Sequence, residues 1–167
     1  MNNMSQVFSE INKIVNAVIP VAAAFNGTVQ SDIVHLENYK KCTFIIATGA
    51  TSTDVGVVTL NAGATSTGAA TAIAFKYRTQ IAAAPPDAGS DVSSALTDAT
   101  STGFAITASK AGGLYIIEVD PAVVAAAAAG YDHVALTVTG STGQTACVIA
   151  ILSEPRYPQA VLQTAID

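Results

Sequence analysis

The chain is 167 residues long; half of them are hydrophobic, 11% are charged, and the formal net charge is −5. Soluble domains usually carry about 25% charged residues, so much of this surface must be neutral hydroxyls and methyls or be hidden against other protein. The seven Lys and Arg cluster no further than Lys40-Lys41 and Lys76/Arg78, which excludes a phosphate-tracking nucleic-acid surface and reads as charge guarding strand edges.

At 16.8 kDa the folded surface should be about 7,700 Å², with about two thirds of the unfolded chain's surface buried, which suits one domain. The 19 charged side chains then stand at roughly one per 400 Å², close to the largest apolar patch of an ordinary monomer. Nineteen Thr and twelve Ser can keep such stretches wet; contact with other subunits is the alternative use.

At the start, Val7, Phe8, Ile11, Ile14, Val15, Val18 and Ile19 recur at helical spacing with polar residues between them, predicting an amphipathic helix that Pro20 ends or kinks. No Lys or Arg precedes Lys13, which argues against a secretory signal, and the apolar stretch is too short to span a membrane. The segment 1–26 is thus expected to be a helical arm, either covering its own domain or reaching a neighbour.

From Gly27 the period changes to two, with turn residues every eight to twelve positions. Strands are predicted near 29–36, 41–48, 55–61, 70–78, 103–108, 113–119, 131–139 and 145–152. In 72–78, Ile73, Phe75 and Tyr77 point one way; in 133–139, Val134, Leu136 and Val138 oppose His133, Ala135, Thr137 and Thr139. The stretch 42–48 is apolar on both faces, Phe44 and Ile46 against Ile45 and Ala47, and reads as a central strand covered on two sides. The Gly/Ser/Thr-rich runs between strands are turns, and 82–102 is the longest break. One connector helix is legible: Asp120 as N-cap, Pro121 at the first position, Ala122 to Ala129 as the body and Gly130 just past its end.

Chemistry is sparse. Cys42 and Cys147 lie in apolar runs and read as buried free thiols. His35 and His133 fall in period-2 strands without a catalytic signature, and Asp87, Asp91 and Asp98 lack the spacing of a calcium loop. No catalytic residue, metal or cofactor is expected.

Two stretches carry a resemblance. Ile33-Val34-His35-Leu36-Glu37-Asn38-Tyr39 leads into the strand Cys42 to Thr48, and the last strand, Cys147 to Leu152, ends in Ser153-Glu154-Pro155-Arg156-Tyr157-Pro158. Together they resemble small structural proteins of tailed bacteriophage particles that decorate or cement the capsid. The resemblance covers roughly residues 30 to 160 and implies an all-β, antiparallel, jelly-roll-like β-sandwich at 27–155 and a virion component on the capsid surface. It implies the major capsid protein as partner and a homo-oligomer, a trimer being favoured, with no nucleic acid and no membrane. The short 156–167 tail, with Arg156 and Tyr157 of types enriched at interface centres, and Phe8, Ile11 and Val15 of the arm are the expected contact residues. Alternatives of other kinds are a head-fibre, tail or connector component, or a carbohydrate-binding or adhesive module using the 82–102 loop; the absence of Trp weakens the last.

Overall fold

The computed structural model describes residues 7–49, 56–80, 92–106, 112–141, 144–157 and 162–166. Ten of its twelve strands follow from period-2 segments: β2 Gly27–Gln30, β3 Val34–His35, β4 Tyr39–Thr48, β5 Gly56–Gly63, β6 Ala69–Ile73, β7 Phe75–Gln80, β9 Phe104–Ile106, β10 Leu114–Val119, β11 His133–Ser141 and β12 Ala146–Pro155. The other two are β1 Asn12–Val21 and β8 Thr97–Ala99; the helices are α1 Phe8–Ile11 and α2 Pro121–Ala127. The result is an antiparallel β-sandwich. One sheet runs β1-β12-β4-β10-β7-β8; the other runs β2-β11-β5-β6, with β3 also on β11 and β9 also on β5.

The inner faces share one core. Val15, Phe44, Ile46, Tyr115, Ile117, Val148 and Leu152 of the first sheet meet Val58, Leu60, Phe104, Ile106, Val134, Leu136 and Val138 of the second. Phe104 joins the layers through rings: it stacks on Tyr77 with centroids 4.1 Å apart and lies 5.5 Å from Tyr115 and 6.0 Å from Phe75. The connector helix is capped at its start as expected, the Asp120 carboxylate accepting the Ala122 N–H at 2.8 Å, but it ends at Ala127 with Ala128 already extended, and Gly130, at φ +80°, lies in the turn beyond rather than just past the helix end.

The N-terminal arm is where the periodicity misleads. Only one turn, Phe8–Ile11, is helical; Asn12–Val21 is an edge strand on β12, with Ile14 opposite Ile151 and Asn16 opposite Ile149. Val15 and Ala17 face the core while Ile14 and Asn16 face out, and irregularities at Asn16/Val18 and Val18/Val21 shift the alternation so that it imitates a helical stripe. The β-branched Ile and Val favour the strand, and Pro20 is tolerated because the strand is an edge with a bulge. The sandwich therefore begins at β1, not at residue 27.

Other boundaries move for local reasons. The 29–36 segment splits at Ser31, whose N–H donates to the Leu136 carbonyl at 2.8 Å while its Oγ accepts the Leu136 N–H at 3.0 Å. The 70–78 segment breaks at Ala74, where the chain leaves the second sheet for the first. Within the predicted 82–102 loop, Thr97–Ala99 forms β8 against Phe75–Tyr77; Asp87 and Asp91 lie outside the described residues. Lys40-Lys41 stand on β4, third in its sheet, so they do not guard an edge. The expected C-terminal tail is in part docked on its own domain: Ala165 is buried, its carbonyl accepts the His35 N–H at 2.8 Å, and the Gln163 carbonyl accepts the Tyr39 hydroxyl at 3.0 Å.

Candidate functional site

The two outer faces of the sandwich differ in kind. On the second sheet, Thr28, Gln30, Thr59, Asn61, Thr137 and Thr139 point outward beside the exposed Val57, and Gln30, Thr59, Asn61 and Thr137 bond to one another or to the backbone. Asn61 Nδ2 donates to Thr137 Oγ1 at 2.6 Å, Thr59 Oγ1 donates to the Thr137 carbonyl at 3.3 Å, and Gln30 Nε2 donates to the Ala69 carbonyl at 2.7 Å. This is the polar outer face expected of a solvated antiparallel sheet.

The first sheet presents the opposite. Its register aligns Asn16, Ile149, Ile45, Ile116 and Arg78 in one outward row and Ile14, Ile151, Thr43, Glu118 and Lys76 in the next; Cys147, Ala47 and Leu114 make a third. Five isoleucines are thus contiguous across four strands, ringed by Asn16, Thr43, Lys41, Glu118, Lys76 and Arg78. Eight apolar positions in these rows, each about 4.8 Å by 6.8 Å, cover roughly 260 Å². Ile14 is 49% exposed. The double-sided apolar pattern of β4 does mark a central strand, but its Ile45 side is the outer one, and no described strand packs over it. An apolar centre with polar residues on its borders is an arrangement that suits a protein contact.

The predicted contact residues differ in exposure. Phe8 and Tyr157 are exposed at 54% and 63%, Ile11 is half-buried, and Val15 is a core residue at 5%. Val15 is spent inside its own domain because strand alternation, not helical phase, decides where it points. Arg156 is exposed and tied back, its N–H donating to the Asn38 carbonyl at 2.9 Å.

A cleft of about 940 Å³ opens under α2, with Leu60, Ile73, Phe75, Ala99, Val119 and Val123 on its apolar floor. Most of the charges around it are engaged. Lys76 pairs with Asp98 at 2.5 Å, Lys41 pairs with Glu154, Glu118 accepts from Thr43 Oγ1 at 3.4 Å, and Asp120 caps α2. The hydrogen bond from Lys41 holds the Glu154 carboxyl below, and raises the Lys41 ammonium above, their ordinary ranges. Among the described residues, no nucleophile sits beside a base here.

Of the thiols, Cys42 is in the core and burial pushes it well up, whereas Cys147 is half-buried on the outer isoleucine face. A second polar cluster joins His35, Asp132 and His133 on the outer face of the second sheet. His35 and His133 are directly opposed in the β3–β11 pair, and their rings stack with centroids 4.3 Å apart and planes 6° from parallel. Sequence reasoning missed this because the two histidines are far apart in the chain; the available signals were Glu37 two residues after His35 and Asp132 just before His133.

Comparison with known proteins gives no match: no protein-family model, no curated protein and no solved structure matches the chain.

Proposed function

We propose that the protein is a non-enzymatic structural component of a tailed-phage particle that decorates or cements the capsid by laying the outer face of its first sheet against the major capsid lattice. The observation that carries this reading is the contrast between the two outer faces: one is a finished hydroxyl and amide ladder, the other a ring-bounded field of isoleucines. Neutral surface of this kind avoids the desolvation cost of ions at a contact. The phage-like stretches at residues 33–48 and 147–158 supply the partner.

The size of the patch also bears on how it would be used. At 25 cal/mol/Å², roughly 260 Å² contributes at most about 6.5 kcal/mol before association costs of about 4–15 kcal/mol. A single patch therefore sustains only a weak contact. A small homo-oligomer, a trimer in this reading, would engage several lattice positions at once and gain tight binding by avidity.

The test is co-sedimentation of the purified protein with undecorated phage heads, followed by heat challenge of the particles. Ile149→Lys places a charge at the centre of the patch and should abolish both binding and heat resistance. Thr28→Lys, on the exposed edge of the polar face, should leave them intact. Equal binding by both variants, or no complex with the unaltered protein, removes the assignment.

A further inference from the structure

We propose that the cleft under α2 is a binding site for an uncharged, largely aliphatic small molecule, a role independent of the capsid contact. The cleft draws its lining from both layers of the sandwich. Leu60 and Ile73 come from the second sheet, Phe75, Ala99 and Val119 from the first, and Val123 from α2. At about 940 Å³ it falls within the size range of small-molecule pockets, about 300–1,000 Å³.

The wall on the helix side is held without a ligand. Asp120 caps α2 and Val124 is wholly buried, so the helix is seated through one valine while its neighbour Val123 lines the cleft and stays 44% exposed. Ala74, where the chain crosses from one sheet to the other, is a second exposed apolar residue on the lining. Water in a space of this kind meets few polar partners, and an apolar group that displaces it gains affinity.

The charges set the class of occupant. Three cations, Lys40, Lys41 and Lys76, and three carboxylates, Asp98, Glu118 and Asp120, stand around the cleft and cancel. Lys76 is paired with Asp98, Lys41 with Glu154, and Asp120 with the start of its own helix. Lys40 and Glu118 are left, opposite in sign, and both act on the Lys41–Glu154 pair. An ionic ligand would find no counter-charge in excess and would lose hydration on entering. A neutral molecule avoids that cost, and a single hydroxyl on it can stay at the rim beside the exposed Thr100 and Ser101.

The experiment uses the full chain and 1-octanol, followed by NMR through the methyl resonances of Leu60, Ile73 and Val119. Octanol should shift these methyls saturably and with one-to-one stoichiometry. 1-Hexanol, two methylenes shorter, should bind about tenfold more weakly, and octanoate and octylammonium should each fall about tenfold or more below octanol. Val123→Asp, at an exposed position on the wall, and Ala74→Trp, which fills the space, should each raise the Kd for octanol about tenfold or more. Ile149→Lys, on the outer isoleucine face, should leave it unchanged, so the result does not depend on capsid binding. If one of the two cleft variants does not fold, the other decides the matter. Shifts that never saturate, a charged probe that binds as tightly as octanol, a Kd indifferent to the cleft variants, or binding lost in Ile149→Lys overturns the site.

Discussion

Gly103 and Gly130 share a backbone conformation, φ +79° and +80°, but not an environment, so alanine at each separates two costs. At Gly130 an added Cβ meets nothing within 4 Å. The left-handed conformation costs a side chain about 1–2 kcal/mol, and the stiffer unfolded chain returns about 0.4–1 kcal/mol. Gly130→Ala should therefore destabilise by about 0.5–1 kcal/mol. At Gly103 the same Cβ would stand 2.0 Å from the Val58 carbonyl oxygen, a backbone atom of β5 that cannot swing away. Relief requires β9 to leave its register on β5, where Phe104 opposes Val58. Phe104 and Ile106 would then lose part of their burial, each worth about 1.5–3 kcal/mol when complete, and Phe104 its stack on Tyr77. Gly103→Ala should cost about 3–4 kcal/mol in all, or roughly 8–15 °C in melting temperature for a domain of this size. Urea unfolding followed by tyrosine fluorescence and circular dichroism measures both variants; losses that agree within about 0.5 kcal/mol would refute the steric argument.

Three further outcomes follow from the same geometry. Ala23 sits at φ +58° in the turn after β1, so Ala23→Gly should reverse the usual penalty and stabilise the protein by about 0.5 kcal/mol in urea titration. A maleimide added to the native protein should label one thiol, Cys147, with Cys42 reacting only after denaturation, and labelling of Cys147 should be blocked on decorated particles; mass spectrometry reads both. Because Lys41 lowers the folded-state pKa of Glu154, the pair's contribution is present above the unfolded carboxylate pKa and lost as pH falls through the lower folded value. Glu154→Gln should accordingly flatten a small, salt-sensitive part of the acid limb of thermal stability below the ordinary carboxylate pKa.

Local rules carried the reading a long way where one residue's neighbours in sequence decide its state. Asp120 and Pro121 mark the start of α2 because capping and a preset φ are properties of a few consecutive residues. Val134, Leu136 and Val138 mark the inner face of β11 because strand alternation is strictly local. The same reasoning failed at Asn12–Val21, where a bulged strand and a helix leave nearly the same apolar spacing; β12 as a hydrogen-bonding partner settles the matter, and nothing near residue 12 announces it.

The composition and period-two patterning determined by themselves that this would be an ion-poor antiparallel sandwich with a double-sided apolar strand at its centre. Only the tertiary structure decided which side of that strand stays uncovered, aligned five isoleucines from four strands into one face, and brought His35 within reach of Asp132. The reason is physical: hydrophobic period and capping act over a few residues, whereas a surface patch or a polar cluster is made by strand order and register, which depend on pairings between residues a hundred positions apart.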